Sequence, residues 1–231
     1  MNIAIIGASR GIGKAAALEL AKTGEHLLIT GRDEVTLLKT KQELPDDTLA
    51  YPLDTTKEED IDKLVGIFEN EFPLDGLVLN AASFPDPKTQ CSVLKPSVSE
   101  LTGILDSNVT AHYRLVQKVL PIIQKSPVKK IVIIGSTSGV RQDKGGIYGI
   151  SKWALRSYAY QLRDEAREYG IGVSLINPGG TFTEKRIKQG EDDRHLLETT
   201  DIALLIATVF RLSPQAVIEE LNIRPLAGDT Y

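Results

Sequence analysis

Short, uninterrupted apolar runs recur along the chain at Ile3 to Ile6, His26 to Thr30, Thr48 to Leu53, Asp75 to Asn80, Lys130 to Gly135, Ile171 to Asn177 and Leu221 to Arg224. Continuous rather than alternating apolar character marks strands covered on both faces. Longer amphipathic stretches separate them: Gly13 to Thr23, Asp33 to Glu43, Lys57 to Phe72, Ser97 to Lys125, Tyr148 to Tyr169 and Thr199 to Leu212. Thr55 or Thr56 stands ahead of Lys57-Glu58-Glu59-Asp60, an acid-rich first turn that suits a helix start. Strand alternating with helix predicts an α/β protein: a doubly wound parallel sheet of about seven strands, with helices on both faces and right-handed crossovers. No Pro/Gly/Ser-rich linker or internal repeat divides the 231 residues, so a single domain spanning 1–231 is expected.

Composition narrows the partners. The net charge is −4, with acidic and basic residues interleaved, so no basic face is offered to nucleic acid or to an anionic membrane. No apolar run approaches the roughly 18 residues of a membrane span. The chain opens directly into Asn2-Ile3-Ala4-Ile5-Ile6 with no positively charged leader, and the single Cys91 leaves no internal disulfide, which together point to a cytoplasmic protein. Cys91 has no paired base beside it and reads as an ordinary thiol. His26, His112 and His195 lie far apart without ligand spacing, so no metal is expected.

Candidate chemistry gathers at strand ends. Open α/β sheets bind ligands at the carboxyl edge of their strands. Gly7, Arg32, Asp54, Asn80, Ser136 and Pro178 each fall at or near the end of a different predicted strand, so the fold would collect all of them along one edge. The loop Gly7-Ala8-Ser9-Arg10-Gly11-Ile12-Gly13 joins the first strand to the first helix; its glycines allow a tight turn and close approach to a diphosphate, which the helix N-terminus would also attract. At the end of the second strand an acidic residue would bind a free ribose 2′-hydroxyl. Here Thr30-Gly31 precede Arg32, and Arg10 lies in the glycine loop, two guanidinium groups suited to a 2′-phosphate and hence to NADP(H) over NAD. Asp33 either caps the next helix or competes for the ribose. Farther on, Gly146-Ile147-Tyr148-Gly149-Ile150-Ser151-Lys152-Trp153 sets Tyr148 one helical turn before Lys152, where an ammonium would favour the phenolate and lower the tyrosine pKa.

With these motifs the chain resembles a classical short-chain dehydrogenase/reductase from Ile3 to about Thr183, a family with a Rossmann-type sheet. The family glycine motif matches Gly7, Gly11 and Gly13, with Ser9, Arg10 and Ile12 in the same loop. Its adenine-contacting Asp matches Asp54, its Asn-Ala motif matches Asn80-Ala81, and its Pro-Gly motif matches Pro178-Gly179, with Thr181 and Thr183 following toward the nicotinamide. The catalytic Asn, Ser, Tyr and Lys match Asn108, Ser136, Tyr148 and Lys152, with twelve residues from Ser136 to Tyr148. Ile6, Leu79 and Ala82 depart from the family pattern at supporting positions.

The resemblance implies hydride transfer between a nicotinamide and a small-molecule carbonyl or alcohol. Tyr148 would act as general acid/base, Ser136 would hold the same substrate oxygen, and Lys152 would hold the cofactor ribose and lower the Tyr148 pKa. Asn108 would anchor a water in a proton relay. A 3-oxoacyl-thioester (acyl carrier protein) reductase is one alternative, and a non-catalytic dinucleotide-sensing or scaffold protein is another. Ser97 to Lys125 is richer in apolar residues than one sheet face needs, which either deepens the core or builds a homodimer or homotetramer interface. The stretch 180–200 reads as a polar lid whose Lys185, Arg186 and Lys188 either face solvent or meet an acidic substrate. Phe84 to Pro96 and Val140 to Gly145 complete the expected pocket lining.

Overall fold

The computed structural model describes residues 1–89, 91–141, 145–184 and 195–228. Among these, seven strands form one parallel sheet: β1 (Asn2–Ile6), β2 (His26–Gly31), β3 (Leu49–Pro52), β4 (Gly76–Leu79), β5 (Lys130–Ile134), β6 (Gly172–Pro178) and β7 (Glu220–Ile223), in the spatial order β3-β2-β1-β4-β5-β6-β7. The helices are α1 (Gly11–Ala21), α2 (Glu34–Lys41), α3 (Glu58–Asn70), α4 (Val98–Leu105), α5 (Ala111–Ile123), α6 (Gly146–Ala166) and α7 (Thr199–Arg211). The chain builds outward from β1 to β3, then returns to pair β4 on the other side of β1. The order therefore reverses between β1 and β4, where a crevice opens at the carboxyl edge.

Successive residues of a strand point to opposite faces, and the core divides accordingly. Ala4, Ile6, Leu77, Leu79, Ile131, Ile133, Val173 and Leu175 face α3, α5 and α6, where they meet Phe68, Leu115 and Leu155. Ile3, Ile5, Leu27, Ile29, Val78, Val132 and Ile176 face α1, α2 and α7, where they meet Ala16, Leu37 and Phe210. Apolar burial on both faces explains why the five inner strands read as continuous apolar runs; the edge strands β3 and β7 are partly exposed.

Two features differ from the expected pattern. The stretch Ser97 to Lys125 is not one straight helix: Ser97 caps α4, and a π-helical turn, Asp106–Thr110, separates it from α5. The start of α3 is capped by neither threonine. Lys57 holds the N-cap position, and Thr56 turns back so that its hydroxyl donates to Asp54 Oδ1 at 2.7 Å.

At the amino edge of the sheet, Lys130 is 3% exposed, and its ammonium donates to the carbonyls of Val209 and Leu212, the C-terminal turn of α7. That ties β5 to α7 and places a cation at the negative end of the helix dipole. Beside it, a Cβ at Gly76 would lie 2.4 Å from Cε1 of the buried Phe210 ring. Gly76→Ala should therefore force that ring to shift and lower stability by about 1–3 kcal/mol, as overpacked cores do. A urea midpoint unchanged from the wild type would show that the ring yields freely.

Candidate active site

The glycine loop is shaped by contact as much as by conformation. Gly7 has φ +92, and a Cβ there would lie 2.7 Å from the Ala81 nitrogen. A Cβ at Gly13 would lie 2.1 Å from the Gly7 carbonyl oxygen, which accepts a 2.6 Å hydrogen bond from Asn80 Nδ2. Asn80 and Ala81 thus brace the loop from β4, a strut role rather than an outward-facing one. Past the loop, Gly11 N–H at the start of α1 donates to Glu184 Oε2 at 3.0 Å. A carboxylate already sits where the free N–H groups and helix dipole favour an anion. Thr183 packs on the same spot, 3.3 Å from where a Gly11 Cβ would be. Ile12 continues into α1.

At the end of β2, Ser9 Oγ is buried without a hydrogen-bond partner among the described residues and would meet a Gly31 Cβ at 1.8 Å. Asp33 caps α2: its Oδ1 accepts from Thr36 N at 2.8 Å and from the Thr36 hydroxyl. Those bonds, with the charges of Arg10 and Lys39, hold its carboxyl below the usual carboxylate range. Of the two roles open to Asp33 from sequence, capping is the one its side chain performs. The exposed Arg10 lies within electrostatic reach of Asp33, and the exposed Arg32 within reach of Asp54. The two cations flank the β2 edge, while Oδ1 of Asp54 is taken up by the Thr56 N–H and hydroxyl. A glycine loop at a helix N-terminus, a buried hydroxyl and two exposed guanidinium groups at this edge fit a nicotinamide dinucleotide.

The other half of the site lies beyond β4 and β5. Ser136 follows β5, caps the short 3₁₀ turn Thr137–Gly139, and shares a side-chain hydrogen bond with Tyr148 of α6. Lys152, one turn after Tyr148, is 2% exposed; its Nζ lies 5.7 Å from the Tyr148 ring centroid and donates to the Ile134 carbonyl at 3.0 Å. Burial lowers the lysine to about 8 and raises the phenol to about 12, with the Ser136 hydrogen bond working against the rise. The sequence-based expectation of a lowered Tyr148 pKa is thus reversed in the protein chain by itself. Desolvation outweighs an ammonium whose nearest bond goes to a backbone carbonyl. Phe84 stacks on Tyr148 with ring centroids 4.8 Å apart.

Asn108 is fully buried within the π-helical turn. Its Oδ1 accepts from Ser83 N at 2.7 Å, and its Nδ2 donates to the Ser83 carbonyl and to Ser151 Oγ, both at 3.0 Å. Ser151 in turn donates to the Tyr148 carbonyl at 2.7 Å. Ser83 and Ser151 escaped the sequence reading, and nothing about a lone serine flags such a role. Asn177 escaped it too, although it directly precedes the Pro-Gly motif. Its Oδ1 accepts from Ser136 N at 3.3 Å, and its Nδ2 donates to Glu220 Oε1 at 2.6 Å, so β7 helps hold Ser136. Glu220 is held by Arg156 Nε at 2.8 Å and by the Tyr160 hydroxyl.

Pro178 ends β6, Gly179 N–H pairs with the Ile223 carbonyl at 2.8 Å, and Thr181 Oγ1 donates to the Gly179 carbonyl at 3.0 Å. The structure brings Asn108, Ser136, Tyr148 and Lys152 together, and it lines the glycine loop, Arg32, Asp54, Asn80 and Thr183 along the same edge. Lys185, Arg186, Lys188 and the rest of 185–194, the middle of the expected lid, lie outside the described residues, as do residues 142–144. Among the described residues, no cluster of three or more His, Cys, Asp or Glu could hold a metal, and no helix is long and apolar enough to cross a membrane.

Comparison with known proteins agrees with this geometry. A family model described as short chain dehydrogenase matches residues 1–194. An uncharacterized oxidoreductase of Staphylococcus aureus (strain MW2) is 27% identical over 228 residues, covering 97% of each chain. Among solved structures, a metagenomic short-chain oxidoreductase in complex with NADP is 25% identical with a TM-score of 0.83, covering 97% of this chain and 96% of its own. The closed form of a serine dehydrogenase complexed with NADP+ is 25% identical with a TM-score of 0.88, covering 100% of this chain and 97% of its own. By the extent of the family match and by the strand order that carries its motifs, this chain belongs to the classical short-chain dehydrogenase/reductase family.

Proposed function

We propose that the protein is an NADP(H)-dependent oxidoreductase that interconverts a small carbonyl compound and its alcohol, with Tyr148 as general acid/base. The observation that carries this reading is the hydrogen bond joining the Ser136 and Tyr148 side chains, with Lys152 buried one helical turn away. A bound dinucleotide supplies or accepts the hydride. Tyr148 protonates the oxygen that becomes an alkoxide, and Ser136 donates a second hydrogen bond to it. A phenol at about 12 is protonated at neutral pH, as a donor in the reducing direction must be. Lys152 has three donors and spends one on Ile134, which leaves two for a cofactor ribose.

Preference for NADP(H) is supported by Arg10 and Arg32 beside β2, by the engagement of Asp33 in helix capping, and by the NADP complexes among the similar structures. A sensor or scaffold without turnover has no use for an ammonium desolvated next to a tyrosine, a costly arrangement. No feature of the described residues favours an acyl-thioester over other carbonyl substrates. Exposed Val98, Tyr113, Ile150 and Trp153 on α4, α5 and α6 support pairing between copies through that face.

Tyr148→Phe should lower turnover of any carbonyl substrate by at least about 100-fold while leaving NADPH affinity within a few-fold; steady-state rates with a fluorescence titration of NADPH check both. The wild type should bind NADPH at least about tenfold tighter than NADH, about 1.4 kcal/mol, and Arg32→Ala should erase most of that difference. An NADH preference in that titration would refute the 2′-phosphate assignment. Because Glu184 occupies the Gly11 N–H that a diphosphate would need, Glu184→Gln should tighten NADPH binding a few-fold, with the gain shrinking as salt is raised. Weaker binding in that variant would mean that the carboxylate assists the cofactor rather than competing with it.

A further inference from the structure

The π-helical turn between α4 and α5 has a consequence for its carbonyl groups. Ala111 N–H reaches back five residues to the Asp106 carbonyl, and the return to ordinary spacing in α5 leaves a carbonyl of the turn without its helical N–H. His112 stands one turn after Asn108, and its Nδ1 lies 2.9 Å from the Asn108 carbonyl oxygen. A carbonyl only accepts, so the ring carries a hydrogen on Nδ1, and the neutral ring has a bare lone pair at Nε2. Burial, with the charge of Lys152 adding to it, lowers the imidazole to about 4, so the ring is neutral under ordinary conditions.

That arrangement is expensive for a purely structural residue. The ring is 2% exposed, and Nε2 has no hydrogen-bond partner among the described residues. Buried polar atoms are seldom left this way, and a leucine would fill the same position in α5 with no orphaned nitrogen. What the imidazole does that leucine cannot is grip the Asn108 carbonyl. The side chain of that same Asn108 binds Ser151, the neighbour of Lys152.

We propose that His112 is a positioning residue for the proton step: its Nδ1–H holds the Asn108 carbonyl in place within the buried space it shares with Lys152. This rests on the reading of Tyr148 as the proton donor. Each alkoxide that Tyr148 protonates costs the phenol one proton, which returns by way of Lys152, with water completing the path past the Asn108 carbonyl to solvent. His112 gains and loses no proton; it fixes one wall of that path.

The test compares wild type, His112→Leu, His112→Asn and Tyr148→Phe. Asparagine can present its Nδ2–H where His112 presents Nδ1–H, yet has no counterpart of Nε2. In His112→Leu, NADPH affinity by nicotinamide fluorescence and the KM for a carbonyl substrate should stay within about twofold, while kcat falls about 10- to 100-fold, as for a misplaced group behind the reacting atoms. His112→Asn should recover most of the lost kcat. Nitrogen-15 NMR of the cofactor-free wild type, which has only three histidines, should show one ring as the Nδ1–H tautomer, and that signal should vanish in His112→Leu. An unchanged kcat in His112→Leu overturns the proposal, as does a folded His112→Asn no faster than His112→Leu. An Nε2–H ring at His112 in the wild type overturns it without any variant. A wild type inert toward all carbonyl compounds, or a Tyr148→Phe as fast as wild type, brings down the functional reading and this proposal with it. An inactive Tyr148→Phe beside an unaffected His112→Leu removes the proposal alone.

Discussion

The candidate site depends on one close approach, where β1 and β4 end side by side and Gly7 packs against Ala81 with no room for a side chain between them. The contact sits where the strand order reverses. It lets the chain leave β1 straight into α1 and leave β4 toward Ser83, so that a crevice opens between the two departures. Asn80 closes it by donating to the Gly7 carbonyl, which a Gly13 side chain would otherwise displace. Two glycines of one loop and an asparagine 73 residues after the first of them are therefore one constraint in space. The cradle for a diphosphate follows from backbone geometry before any charged residue contributes.

From that point the chain fixes the second half of the site by polar bonds rather than by apolar packing. Asn108 links the Ser83 loop to α6 through Ser151, and Asn177 links Ser136 to Glu220 of β7. Buried amide networks of this kind are fully satisfied or very costly. Here they set the spacing between the Ser136 and Tyr148 hydroxyls, which come from different elements and share no direct covalent neighbour. Apolar contacts could hold β5 and α6 together with slack; directional bonds fix the backbone of Ser136 and of Tyr148, from which the two hydroxyls project.

The five inner strands are legible because they are buried on both faces, so each reads as an apolar run, whereas the edge strands β3 and β7 stay partly exposed; amphipathic spacing marks the helical stretches between them. Strand ends then located Gly7, Ser136 and Pro178 without further help. What could not be read was anything decided between distant elements. The π-helical break at Asp106–Thr110 lies in a stretch whose apolar periodicity runs on through it, and only packing against α6 and the Ser83 loop gives the wider turn a use. Glu184 on Gly11 spans a separation of 173 residues, and no local pattern marks it. Spacing gives the wrong sign for the Tyr148 shift for a related reason: it shows that an ammonium is near, but not how much water both groups have lost.

The two buried lysines show what that loss of water implies. Lys130 and Lys152 are almost equally hidden, at 3% and 2% exposure, and burial lowers the pKa of both. Lys130 meets the carbonyls that end α7, a site where a helix terminus needs donors, so its burial is accounted for by the fold alone. Among the described residues Lys152 meets a single strand carbonyl, which leaves two of its N–H groups unspent. Folding does not require an ammonium there, since the ladder between β5 and β6 already runs past Ile134. A charge kept in a desolvated position with donors to spare is consistent with the cofactor contact proposed for Lys152, and the Tyr148 ring centroid lies 5.7 Å from its Nζ. The same reasoning separates residues that build this sheet from residues that the sheet was built to present.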